Sequence, residues 1–249
     1  MITDANISWG NWPFQNFRLS AASEMKEFLR KSGIDGGLVR SAEAALSPDL
    51  EKCNIKLFKE FDGKDGFIPV PTVNPYYSEW KKLLDEKRTP VFAVYPSYHS
   101  YSVLSDEFSE LAAALIDKSA GLLIVIRQED ERGQHELCKI PAVPVAEVNE
   151  LGRKFPSLKI ICLNCYFGEL KPLLDGVPNV SADIAFAEKL NTINSILKFA
   201  DPKQIVFGSH TPFLYTESNL QKLKDAKILP EERENISTGN LTVSMRVHF

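Results

Sequence analysis

Cysteine is scarce in this chain of 249 residues: Cys53, Cys138, Cys162 and Cys165 are too few for the disulfide framework that staples small secreted domains. The "CLNC" at 162–165 matches C-x-x-C. It closes an apolar strand instead of opening a helix, where a low-pKa redox thiol is found, and in a continuing strand its two sulfurs point to opposite faces. Long hydrophobic runs are missing too, since no apolar stretch approaches the ~18 residues of a membrane span. The opening "MITDANISWG" has no basic segment followed by an apolar one, so the expected location is the cytoplasm, with no membrane partner. Positive charge is not in excess: 29 Lys and Arg stand against 33 Asp and Glu, giving a formal net charge of −4. The basic residues are scattered, which argues against a nucleic-acid partner. Glycine-rich phosphate loops are absent as well. The one tight cluster, "GIDGG" at 33–37, precedes its strand, so neither a dinucleotide fingerprint nor a P-loop is present.

What is there is a regular alternation. Short β-rich runs recur at 2–8, 36–41, 67–73, 91–96, 122–127, 158–164, 179–185 and 204–209, and amphipathic segments lie between them. Helices are expected over 21–33 with a stop at Gly33, over 47–61 with Ser47 as N-cap and Pro48 in the first turn, and over 78–87. Five more are expected over 105–119, 145–155, 168–176, 189–200 and 217–227. Eight strands, each followed by a helix, in a chain close to the ~250 residues typical of such folds predict an α/β (β/α)8 TIM barrel, a single domain over 1–249. An open doubly wound sheet is the main competitor. The longest irregular stretch, "RQEDERGQHELCKIPAVP" at 127–144, is a candidate functional loop.

In a barrel of this kind chemistry sits at the C-terminal ends of the strands. The first strand, in "DANISWGNWPF", carries Asp4, Asn6 and Ser8 on one face, with Asp4 expected to serve as a structural hydrogen-bonding carboxylate. The fourth strand runs into "YPSYHSY" with Tyr95, Tyr98, His99 and Tyr101. The fifth delivers Arg127, followed by Glu129, Asp130, Arg132 and His135. The sixth ends at Asn164 and the seventh at Asp183, while the eighth leads into "FGSHTPF" with His210. An imidazole titrates near neutral pH, which suits His210 to proton transfer. A planar guanidinium such as Arg127 suits a bidentate carboxylate, or else a structural ion pair with the acidic loop that follows.

The segments "DANISWGNWPF", "GFIPVPTVNP", "YPSYHSY", "RQEDERGQH", "LKIICLNCYFGEL", "QIVFGSHTPF" and "ENISTGNL" occur in an order that resembles the amidohydrolase-2 group of the amidohydrolase superfamily. The resemblance spans nearly the whole chain and implies a TIM barrel with a hydrolase or decarboxylase site holding zinc or manganese. Its pattern implies metal ligands where this chain has Asn6, Ser8, a position near Arg127, Asn164 and, in place of an aspartate, His210. Amide and hydroxyl oxygens do not replace imidazole and carboxylate as zinc ligands, so the inherited site is expected to be lost. Three readings stay open. A relocated divalent metal such as zinc could be held by His99, His135 and His210 with Glu129 or Asp130 nearby. Alternatively, by resemblance to the metal-free pyrone dicarboxylate lactonases, His210 would act as base and Asn6 and Asn164 as oxyanion donors, with Arg127, Arg132, His99 and Tyr98 lining the substrate site. The third reading is a non-catalytic barrel that binds a small polar ligand or a partner protein. The favoured expectation is a hydrolase for a small carboxylated ester, lactone or amide, with metal dependence left open, and a homodimer is compatible with this fold.

Overall fold

The structure is a computed structural model that describes residues 1–86 and 88–249. Its elements alternate as β1 (Thr3–Trp9), α1 (Ala22–Lys31), β2 (Gly36–Ser41), α2 (Leu50–Glu60), β3 (Phe67–Val70), α3 (Glu79–Asp85), β4 (Val91–Val94) and α4 (Asp106–Asp117). They continue as β5 (Gly121–Val125), α5 (Val145–Lys154), β6 (Ile160–Leu163), α6 (Phe167–Leu174), β7 (Val180–Asp183), α7 (Thr192–Ile196), β8 (Ile205–Val206) and α8 (Thr216–Asp225). Every strand pairing is parallel, in the runs β1-β2-β3 and β4-β5-β6-β7-β8. Two seams join these runs. Val73 N donates to Ala93 O and Ala93 N to Pro71 O, both at 2.9 Å, while Ala5 N donates to Phe207 O at 2.9 Å and Ser8 N to Thr211 O at 2.8 Å. Pro71 has no N–H of its own, so the ladder at the β3–β4 seam stays short.

The expected (β/α)8 alternation is present with shorter elements. The expected helix start at Ser47 moves to Leu50, because Asp49 takes the cap and accepts from Lys52 N at 2.9 Å, while Ser47 Oγ accepts from Asp49 N at 3.1 Å. A residue before proline is pushed toward extended backbone, which keeps Ser47 outside the helix. The helix expected over 78–87 runs Glu79–Asp85, and Lys87 lies outside the described residues. The helix expected over 189–200 contracts to Thr192–Ile196, with Asn191 in the left-handed region at its start.

Two apolar layers follow from the strand alternation. Residues of one face, among them Leu38, Val70, Ala93, Leu123, Ile161 and Val206, fill the barrel interior, and the other face packs against the helices. A register shift between Asp4 and Ile7 sets Ala5 in the interior and Ile7 and Trp9 in the outer layer. Sequence reading gave no element to the last residues. They form α9 (Pro230–Glu234), a wide turn over Asn235–Gly239 and α10 (Asn240–Met245). Leu241, Met245 and Val247 close the interior at the N-terminal end of β5, where Gly121 leaves room for the Met245 sulfur.

Met245 is 1% exposed, so Met245→Ala leaves a cavity under the barrel floor. The expected loss is about 2–5 kcal/mol, read from the shift of the urea unfolding midpoint.

Candidate functional site

The opposite end of the barrel gathers polar side chains that are fully buried: Asn6 and Ser8 from β1, Arg40 from β2, Tyr95 after β4, Arg127 and Gln128 after β5, Asn164 after β6, Asp183 ending β7 and His210 after β8. Asn6 is their junction. Its Nδ2 donates to Asn164 Oδ1 at 2.7 Å and to the Asp183 carboxylate, while its Oδ1 accepts from Arg40 Nη1 at 2.6 Å. Arg40 Nε donates to the Tyr95 hydroxyl at 3.1 Å, and Nη2 reaches Gln128 Oε1 at 3.4 Å. Among the described residues no carboxylate lies within ion-pair distance of Arg40. Gly208 permits this packing: a Cβ there would meet Asp183 Oδ2 at 2.7 Å and Asn6 Cβ at 3.0 Å. Asn164 and His210 both hold positive φ, 66° and 56°, which aims their side chains back over the strand ends.

The His210 tautomer follows from its partners. Nε2 lies 2.8 Å from the Gln128 carbonyl, which can only accept, so Nε2 carries the proton. Nδ1 lies 3.2 Å from Asn6 Oδ1, a second acceptor oxygen, so the single proton of a neutral ring goes to the shorter contact at Nε2 and Nδ1 keeps a lone pair. Burial, reinforced by the Arg40 charge, holds His210 well below its usual range, so the ring is neutral at pH 7. Burial also raises the Asp183 carboxyl to about 6, against the Asn164 and Asn6 hydrogen bonds and the Arg40 charge that pull it down. Asp4 accepts from the backbone N–H of Asn6 at 2.8 Å and of Ser209 at 3.0 Å, which ties β1 to the turn after β8.

An aromatic canopy covers the cluster. Phe213 stacks on His210 with ring centroids 4.8 Å apart, and Trp12 packs edge-on to Phe213 at 5.5 Å and to Tyr98 at 6.1 Å. Trp12 also lines a cavity of about 600 Å³ with Phe14, Phe17, Glu43 and Leu46.

Asn6, Asn164 and His210 thus meet in one cluster, but several other expected residues lie elsewhere. Arg127 does not face an open site. Its guanidinium grips both oxygens of Glu169, donates to Asn164 O at 2.7 Å and stacks on Tyr166, and only the weaker 3.4 Å contact goes to Glu131 of the acidic loop. Arg132 is an exposed side chain paired with Asp130. His99 binds the Ala44 carbonyl at 2.9 Å, and burial lowers its pKa. His135 stacks on Phe14 at 4.9 Å and accepts from Leu137 N at 3.2 Å. The expected His99–His135–His210 metal set is therefore not assembled. Among the described residues no group of three or more His, Cys, Asp or Glu side chains comes together in a geometry that holds a metal ion. The amides are also committed: both N–H groups of Asn6 are engaged, and Asn164 spends one on the Arg127 carbonyl at 2.6 Å. The residue that sequence reading passed over is Arg40, and the signal was a charge inside the apolar strand "GGLVRS".

The donor set does not fit a divalent ion. The oxygen that β1 presents to the mouth, Asn6 Oδ1, is faced at 2.6 Å by a guanidinium, whose permanent positive charge opposes a divalent ion bound beside it.

No protein-family model matches the sequence, and no curated protein matches it. Its fold is matched by solved structures. The 5-carboxyvanillate decarboxylase of Sphingomonas paucimobilis aligns with a TM-score of 0.78 at 13% identity, covering 99% of each chain. A dihydroxybenzoic acid decarboxylase from a Polaromonas species, solved with manganese and 2-nitroresorcinol, aligns at 0.76 with 12% identity over 98% of this chain and 96% of its own. A probable 2-pyrone-4,6-dicarboxylic acid hydrolase from Acinetobacter baumannii, solved with citric acid bound, aligns at 0.67 with 9% identity over 99% of each chain. This chain shares the TIM-barrel fold of these enzymes.

The buried groups give opposing pH dependences. Asp183 titrates higher in the folded chain than unfolded, so its contribution to stability falls as pH rises from about 4 to about 6. His210 titrates lower than unfolded, so its contribution grows as pH rises toward 6.5. In Asp183→Asn the first slope is gone and the second remains. Urea unfolding at a series of pH values is expected to show this variant gaining stability with pH between about 4 and 6.5 more steeply than the wild type.

Proposed function

We propose that this chain acts on a small carboxylated molecule at the C-terminal mouth of its barrel. One observation carries the reading: a polar cluster of Asn6, Arg40, Asn164, Asp183 and His210 is buried at the mouth of a fold whose solved examples include decarboxylases of carboxylated aromatics and a dicarboxylate hydrolase. Polar groups of this kind are costly to bury, and a barrel with no use for its mouth would fill it with apolar side chains. His210 Nδ1 is the group with a lone pair for a proton. Asp183, with its carboxyl raised to about 6, holds a proton in part of the population near neutrality. The chemistry is hydrolysis of an ester, lactone or amide, or loss of a carboxyl group with a proton returned to carbon. Arg40 supplies the positive charge in either case.

A second reading has its own support. The hydrogen-bonding groups of the cluster are turned largely on one another, and the cluster is sealed beneath Trp12 and Phe213, which suits a barrel that binds a ligand or partner without turning it over.

The test is a panel of carboxylated lactones, esters, amides and hydroxybenzoates followed by mass spectrometry, with His210→Ala as the paired variant. Turnover that falls about 10²–10⁴-fold in His210→Ala is expected for a proton-transfer role. Ligand stabilisation of the fold with no turnover of any panel member would favour the binding barrel.

A further inference from the structure

We propose that the Arg40 guanidinium is the resident cation of this site, standing where a bound divalent ion would and offering its spare N–H groups to a ligand carboxylate. The inference rests on the reading of the barrel mouth as a site for a small carboxylated molecule.

The protein holds two buried arginines at this end of the barrel, and they are treated differently. Arg127, 1% exposed, has the usual partner of a buried guanidinium, the two oxygens of Glu169. Arg40, 0% exposed, has neutral partners only: the Asn6 amide oxygen, the Tyr95 hydroxyl and the Gln128 amide oxygen. A guanidinium carries five N–H donors and stays charged at any pH a folded protein meets. Nε–H is spent on Tyr95, and Nη1 and Nη2 each spend one hydrogen, which leaves one N–H on each terminal nitrogen. Asp183 and Asp4 feel the Arg40 charge through space but neither is hydrogen-bonded to the guanidinium, and Asp183 is joined to it by Asn6. A carboxylate ligand would give Arg40 what Glu169 gives Arg127. The same charge repels a divalent ion, and Asn6 Oδ1 already faces Nη1. Trp12 belongs both to the canopy and to the lining of the cavity of about 600 Å³, which puts a space able to hold such a ligand beside the canopy.

The experiment uses wild type, Arg40→Lys and Arg40→Met, stripped with chelator, dialysed against Zn²⁺ or Mn²⁺, assayed for metal, and titrated with isophthalate by calorimetry. Wild type is expected to take up no stoichiometric metal and to bind isophthalate. Arg40→Met is expected to bind isophthalate roughly tenfold or more weakly, with Arg40→Lys between them because a point charge replaces the fork. If Arg40→Met fails to fold, the weakening in Arg40→Lys carries the comparison. One equivalent of either ion in wild type, no binding of isophthalate to wild type, or equal binding by the variants overturns the proposal. Metal uptake is read without any substrate. A metal-loaded wild type that turns over a panel compound would overturn this inference and leave the proposed activity standing, whereas Arg40-dependent isophthalate binding with no turnover would do the reverse.

Discussion

The mouth of this barrel is organised by the side-chain amide of Asn6. One small group from β1 touches β2 through Arg40, the end of β6 through Asn164 and the end of β7 through Asp183, so four of the eight strands are referenced to it. An amide suits this position because it presents a donor pair on one side and an acceptor on the other. The donor side faces a carbonyl and a carboxylate, and the acceptor side faces a guanidinium. A carboxylate at position 6 would offer no donor at all, and an imidazole only one where two acceptors wait. That constraint fixes the orientation of Asn164, and the Asn6 hydrogen bond pulls against the burial that raises the Asp183 carboxyl.

Much of the fold could be read from residue order alone, since periodicity is a local property. The β2 boundaries at 36–41 match the expected ones, and Gly33 follows the end of α1 with φ of +90°. Boundaries slipped where side chains compete for one backbone N–H, as Ser47 and Asp49 do before α2. The chain after residue 230 was illegible for a different reason. Its helices are short and joined by a wide turn, and they become helical by packing Leu241 and Met245 against the barrel floor.

The candidate site was legible in part. Asn6, Asn164 and His210 were visible because polar residues at strand ends stand out against apolar strands, and the barrel brings those ends together. The fates of Arg127 and of His99 and His135 were not visible. Whether a guanidinium meets a ligand or Glu169 depends on α6, more than forty positions away in sequence, and no local pattern encodes that distance. Arg40 was the opposite case. It was conspicuous as a charge in an apolar strand, but its meaning needed Asn6, Tyr95 and Gln128 around it.

A guanidinium is part of the polypeptide, which changes how such a barrel matures. A site built around an ion must be supplied from the surroundings, competes with chelators for its occupant and is loaded with whichever ion is abundant. With Arg40 at the mouth the positive charge arrives at translation, in a fixed ratio of one per chain, and is buried as the strands close. On the reading of Arg40 as the resident cation, the positive charge of this site comes with the chain itself and needs no ion from the surroundings.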